Sequence, residues 1–140
     1  MMAALIYRSD GAPDNLSFEI IPKSYTTELI RRWCRRLIRV MAGKPAYLIW
    51  DRLPAHRNKS IVALLAAHRI EVILLPPYAP DLNPTEWLWA HLKRCELANY
   101  CPEDLFAVGN EARRGMRRVK RRLSLLDGFM RGSGLSFGSK

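Results

Sequence analysis

Two acidic residues occupy positions suited to chemistry. Asp51 closes the apolar run AYLIW at 46–50, Glu86 opens a helix-like stretch after LLPPYAPDLNPTE, and 34 residues lie between them. In open α/β sheets, functional groups collect at the carboxyl ends of parallel strands and in the loops that follow. If 46–50 and 70–75 are neighbouring parallel strands, both carboxylates reach the same edge. Hard-oxygen ligands of that kind suit Mg²⁺, which takes carboxylates, waters and substrate phosphates rather than a closed protein cage. Each acid also has a plainer use. Asp51 can start the turn or cap the segment DRLPAHRN. Glu86 stands third after an Asn83 cap and Pro84, where it can close a capping box on the Asn83 amide.

The elements that would hold these acids can be read from hydrophobic period. AALIYR at 3–8 and LSFEII at 16–21 flank the turn formers SDGAPDN, which predicts a hairpin. From Thr26, Leu29, Ile30, Trp33, Leu37, Ile38 and Met41 recur at helical spacing opposite Arg31, Arg32, Arg35, Arg36 and Arg39, with Gly43 and Pro45 as the stop. AYLIW and IEVILL (70–75) read as central strands buried on both faces, joined by a helix at about 58–68 into a parallel βαβ crossover. Further helices are predicted from Pro84 to about Leu97 and from about Pro102 to Leu123, followed by a glycine- and serine-rich tail expected to be loose. Pro76, Pro77, Pro80 and Pro84 stiffen the segment before Glu86, which suits either a ligand that must not move or an ordinary strand-to-helix connection.

Charge and composition narrow the partners. A 140-residue chain has room for one domain, and its net charge of +10 points to a polyanion, either nucleic acid or an anionic membrane surface. No apolar run is long enough to span a bilayer, and the start MMAALIYRSD lacks the form of a signal peptide, so a cytosolic protein is expected. Arg113, Arg114, Arg117, Arg118, Lys120, Arg121 and Arg122 load the last helix with cations, which suits salt-dependent phosphate contact and equally a solvated helix face. Trp87 and Trp89 suit base stacking or core packing. Cys34, Cys95 and Cys101 are odd in number and scattered, so free thiols are expected. His91 and Cys95 stand one helical turn apart, but no second close pair completes four zinc ligands.

The runs YLIWDRLPAHRNKSI and LLPPYAPDLNPTEWLWAHLK, with their spacing, resemble the DDE transposases of the mariner-type superfamily, in its bacterial insertion-sequence branch. The similarity covers about residues 3–105. It implies an RNase H-like mixed sheet flanked by helices, with an extra basic C-terminal helix, over residues 1–125, and a flexible tail at 126–140. It also implies metal-dependent cleavage and strand transfer at transposon ends by carboxylates holding Mg²⁺ or Mn²⁺. Asp51 matches the second acid and Glu86 the third, both as catalytic residues and metal ligands. His56 matches a histidine after the second acid that touches DNA or supports the loop. Arg52 stands where the family commonly has asparagine. With Lys93, Arg94, Arg113, Arg114, Arg117, Arg118, Lys120 and Arg121, these two residues are the expected DNA contacts.

The family's first acid lies on a strand ahead of the hairpin, whereas this chain starts at what matches the second strand. The resemblance therefore implies a partial catalytic domain without its first strand, first Asp or helix-turn-helix region. Asp10 and Asp14, in the hairpin turn, are poor replacements. Two-metal catalysis holds its ions about 3.5–4 Å apart and needs enough carboxylate charge to offset their repulsion. The chain alone is expected to bind metal weakly and cleave DNA negligibly. Its expected partners are DNA at transposon ends and targets, a second copy, or the absent N-terminal part, and its expected place is the bacterial nucleoid. A different class stays open, a non-catalytic basic remnant that binds DNA or oligomerises.

Overall fold

The computed structural model describes residues 1–21, 24–98 and 104–137. They form a mixed α/β structure with two compact units, one built from residues 1–22 with 81–140 and the other from 23–80. Each unit holds a two-stranded sheet, one antiparallel and one parallel, where a single mixed sheet was expected. No helix among the described residues is long and apolar enough to cross a membrane.

In the 23–80 unit, helix α1 (Thr27–Met41) starts where the Thr26 hydroxyl accepts from the Leu29 amide. It ends at Ala42, whose backbone is left-handed (φ 50°) and whose N–H donates to the Ile38 and Arg39 carbonyls. Ile30, Trp33, Cys34 and Leu37 are its buried stripe. Strands β3 (Ala46–Trp50) and β4 (Ile70–Leu74) pair in parallel, with Trp50 opposite Leu74, and α2 (Lys59–Ala66) makes the crossover. Helix α2 packs on β4 and buries Ile61 and Leu65. The two strands are not buried on both faces as their apolar runs predicted. Tyr47 is 69% exposed, Ile49 49% and Ile73 42%, while Trp50 and Ile70 are buried. Side chains alternate across a strand, and here helices of the unit cover only one face of the pair.

In the other unit, β1 (Met2–Tyr7) and β2 (Pro13–Glu19) form the predicted hairpin. Its turn is held by Gly11 at φ 85° and by the Asp10 carboxylate, which accepts from the Ala12 amide at 2.9 Å. Helix α3 (Pro84–His91) runs into a π-turn (Leu92–Glu96), and α4 (Leu105–Arg121) and α5 (Ser124–Gly132) follow. Leu16, Leu88, Leu92, Ala112, Met116, Val119, Leu126 and Phe129 form one buried cluster. Each fully buried side chain of this size contributes roughly 1.5–3 kcal/mol relative to exposure. Residues 126–132, expected to be part of a loose tail, are instead helical, because Leu126 and Phe129 are spaced to enter that cluster. The predicted start of the basic helix near Pro102, and Cys101, lie outside the described residues.

Candidate functional site

Asp51 follows β3 directly, at the carboxyl edge of the parallel pair. One oxygen, Oδ1, accepts from the Leu53 amide at 3.0 Å and from His56 Nδ1 at 2.7 Å. The turn-starting role expected of Asp51 is therefore real, and it uses only half the carboxylate. No hydrogen bond engages Oδ2 among the described residues, and the side chain is 46% exposed. His56 sits in a short 3₁₀ turn (Pro54–Arg57) and stacks on Trp50, centroids 4.1 Å apart and planes within 5°. Arg52 turns to the other loop, its Nε donating to the Leu75 carbonyl at 2.8 Å. That bond ties the segment after β3 to the segment after β4, so Arg52 has a structural task besides any contact with a ligand.

Glu86 lies in the first turn of α3, in the other unit. Asn83 caps this helix through Oδ1, which accepts from the Thr85 amide at 3.2 Å and the Thr85 hydroxyl at 2.5 Å. The Glu86 backbone amide donates to the Asn83 carbonyl at 2.9 Å. The Glu86 carboxylate is exposed and takes no part in the capping, so the capping box is not formed. Nothing among the described residues pairs with it, and it is available to a ligand.

The cations divide into engaged and free. Arg113 donates to the Ile20 carbonyl at 2.8 Å and to Asn110 at 3.1 Å. Arg118 pairs with Glu96 at 2.6 Å and with Glu111 at 3.0 Å, and Arg114 pairs with Glu111 at 3.2 Å. The hydrogen bond from Arg118, with help from Arg114, holds the Glu111 carboxyl below its ordinary range, and the hydrogen bonds to Glu111 and Glu96 raise Arg118. Arg117, Lys120 and Arg121 on α4, Arg122 just past its end, and Lys93 and Arg94 in the π-turn are exposed, with no side-chain partner among the described residues. On a helical projection Arg117, Lys120 and Arg121 share one face, away from buried Ala112, Gly115, Met116 and Val119. Trp89 packs against the core, whereas Trp87 is 45% exposed with its ring over Gly132.

Asp51 and Glu86 have the hard, ionised oxygens that a divalent cation takes. They are two donors only, since no group of three His, Cys, Asp or Glu among the described residues could hold a metal ion. His91 and Cys95 do not supply one, as His91 faces Glu96 at 3.7 Å and Cys95 is exposed. Asp51 lies in the 23–80 unit and Glu86 in the other, and each leaves carboxylate oxygen uncommitted among the described residues. Two features escaped the sequence reading. Glu96 and Glu111 neutralise the middle of the cationic helix through contacts between separate elements, and Trp50 with His56 braces Asp51. For the second, the sequence offered His56 as a residue that touches DNA or supports the loop, but it did not show the stack on Trp50 or the bond to Asp51 Oδ1.

The transposable element Tcb2 transposase of Caenorhabditis briggsae is 29% identical to this chain over 87 residues. That match covers 62% of this chain and 29% of the relative, so the chain spans less than a third of its length. No solved structure matches. The DDE superfamily endonuclease family matches residues 11–104, and so takes in Asp51, His56, Glu86 and the proline-rich segment between the last two. By that match over most of its length, the chain belongs to the DDE superfamily endonuclease family.

Proposed function

We propose that the chain carries part of the catalytic region of a DNA transposase of the bacterial insertion-sequence branch, with an RNase H-like arrangement. In this reading Asp51 and Glu86 contribute ligands to divalent Mg²⁺ or Mn²⁺. The observation that carries it is that both acids of the matched motif keep carboxylate oxygens open to a ligand, Asp51 through Oδ2 and Glu86 through the whole group. A bound divalent ion would polarise a phosphodiester and activate the attacking oxygen. This chain's own contribution is to present those oxygens and, through the free cations of α4, to hold the DNA backbone. The third carboxylate would come from outside these 140 residues, and without it the chain alone cleaves DNA negligibly.

The test is Mn²⁺ binding, followed by water-proton relaxation in the presence of duplex DNA. Wild type should bind, and Asp51→Ala and Glu86→Ala should each weaken binding several-fold. Binding unchanged in both variants would sink the proposal. Metal-dependent plasmid nicking by the purified chain, lost in Asp51→Ala, would overturn the statement that the chain alone cleaves negligibly. A non-catalytic DNA-binding role is the second reading, favoured by the uncommitted Arg117, Lys120, Arg121 and Arg122. DNA binding that neither Mn²⁺ nor the acid substitutions alter would select it.

A further inference from the structure

We propose that His56 is a positioning residue for the Asp51 carboxylate rather than a DNA contact, an assignment that rests on reading Asp51 as a metal ligand. The ring is constrained before it meets the acid. Pro54 starts the 3₁₀ turn, the His56 amide donates to the Leu53 carbonyl at 2.9 Å, and one ring face lies flat on Trp50. Trp50 is itself only 7% exposed, so it offers a fixed floor. The His56 side chain is 17% exposed, with little surface left for a backbone phosphate.

The direction of the hydrogen bond follows from chemistry. Nδ1 lies 2.7 Å from Asp51 Oδ1 and 3.3 Å from the Asp51 carbonyl oxygen. An ionised carboxylate and a carbonyl can only accept, so Nδ1 carries the hydrogen. Oδ1 then receives two donors, this ring and the Leu53 amide. With Oδ1 held twice, the carboxylate plane is set and Oδ2 is left as the oxygen presented to a ligand. Rings and amides that hold a ligating group in this way typically matter about 10- to 100-fold in metal affinity. The loop DRLPAH is thus a self-contained device: β3 supplies the floor and the acid, and the turn returns the imidazole to both.

Two substitutions separate the hydrogen bond from the stack. His56→Phe keeps a flat ring on Trp50 and loses the donor. His56→Asn places an amide N–H near the position of Nδ1. In the metal-free protein, nitrogen NMR of wild-type His56 should show the hydrogen on Nδ1, and side-chain couplings should show a single Asp51 χ1 rotamer. That rotamer should average in His56→Phe and return in His56→Asn, with the amide spectrum of β3 and β4 preserved. Mn²⁺ binding should weaken about 10-fold in His56→Phe and recover in His56→Asn.

A wild-type ring with no hydrogen on Nδ1 would overturn the proposal, and this measurement needs no variant to fold. An Asp51 rotamer that stays fixed in His56→Phe would overturn it as well. If wild type binds no Mn²⁺, or Asp51→Ala leaves binding intact, the ligand reading fails instead. The rotamer and tautomer measurements would then still decide whether His56 positions Asp51.

Discussion

The division of α4 into paired and free cations predicts which residues generate salt-dependent DNA binding. Each phosphate neutralised by a protein cation contributes about −0.9 to the slope of log K against log salt on duplex DNA. Arg117, Lys120 and Arg121 share an exposed face without partners among the described residues, so together they should contribute a slope of about −2.7. Over a fourfold rise in salt, from about 50 to 200 mM, that slope corresponds to a loss of about 40-fold in affinity. Replacing the three by alanine should remove that part of the dependence, and each single replacement about a third of it. Arg118 differs, because Glu96 and Glu111 already occupy its guanidinium at 2.6 and 3.0 Å. Arg118→Ala should leave the slope nearly unchanged while lowering the melting temperature, since Glu96 and Glu111, both largely covered, each lose one cationic partner. The assay is fluorescence anisotropy on a labelled duplex of about 20 base pairs across that salt range, with melting followed by circular dichroism. If Arg118→Ala lowers the slope as much as Arg117→Ala, the intramolecular pairs do not withhold Arg118 from DNA and the reasoning is wrong.

The two glycines inside α4 should respond to alanine with opposite signs. A Cβ at Gly109 meets only Arg113 Nη1, at 3.4 Å, which is a van der Waals contact rather than a clash, so Gly109→Ala should stabilise by about 0.5–1 kcal/mol through helix propensity. A Cβ at Gly115 would lie 2.8 Å from Leu92 Cδ1 and from Glu96 Cβ, so overpacking of about 1–3 kcal/mol should outweigh the same gain. Chemical denaturation of both variants checks this, and a stabilised Gly115→Ala would count against the tight helix contact. Burial pushes the Cys34 thiol up to about 11, so thiol reagents at mildly alkaline pH should modify exposed Cys95 and leave Cys34 intact in the native chain, as peptide mapping would show. The hydrogen bond from Arg118 lowers the folded-state pKa of Glu111, so its stabilisation is present above the ordinary glutamate range and lost as pH falls through the depressed folded value. Glu111→Gln should therefore melt below wild type near neutral pH, with the gap closing as pH falls below the ordinary glutamate range. A gap that persists in acid would assign the effect to packing.

The hairpin, α1, the parallel crossover and the start of α3 were legible because each is specified locally, by period, by caps such as Thr26 and Asn83, and by turn residues such as Gly11. The exposed Tyr47 and Ile49 were not, since an apolar run does not report how many layers cover a sheet. Helix α5 was obscured by Gly128, Gly132 and Gly134, although Leu126 and Phe129 carry its apolar spacing. In the candidate site, the acids were legible from motif and spacing, but their states were not. Whether Glu86 closes a capping box depends on side-chain direction within one turn. The bracing of Asp51 by His56 depends on a 3₁₀ turn that carries no periodic signal. The pairing of Arg118 with Glu96 spans 22 positions between separate elements, beyond any local pattern.

The unit made from both ends of the chain has a kinetic consequence. Leu16 of the hairpin is fully buried among side chains from α3, α4 and α5, and the Tyr7 hydroxyl donates to the Leu126 carbonyl across 119 positions. Contacts of such span require closing a long loop before any of the burial is gained, which slows folding. As the chain emerges from a ribosome, the hairpin is made before α3, α4 and α5, and it waits for more than a hundred further residues before the last of its core partners, Leu126 and Phe129, exist. During that interval its unpaired strand edges and the apolar side of Leu16 are open to other chains, so yield on expression should depend more on synthesis rate and temperature than on final stability.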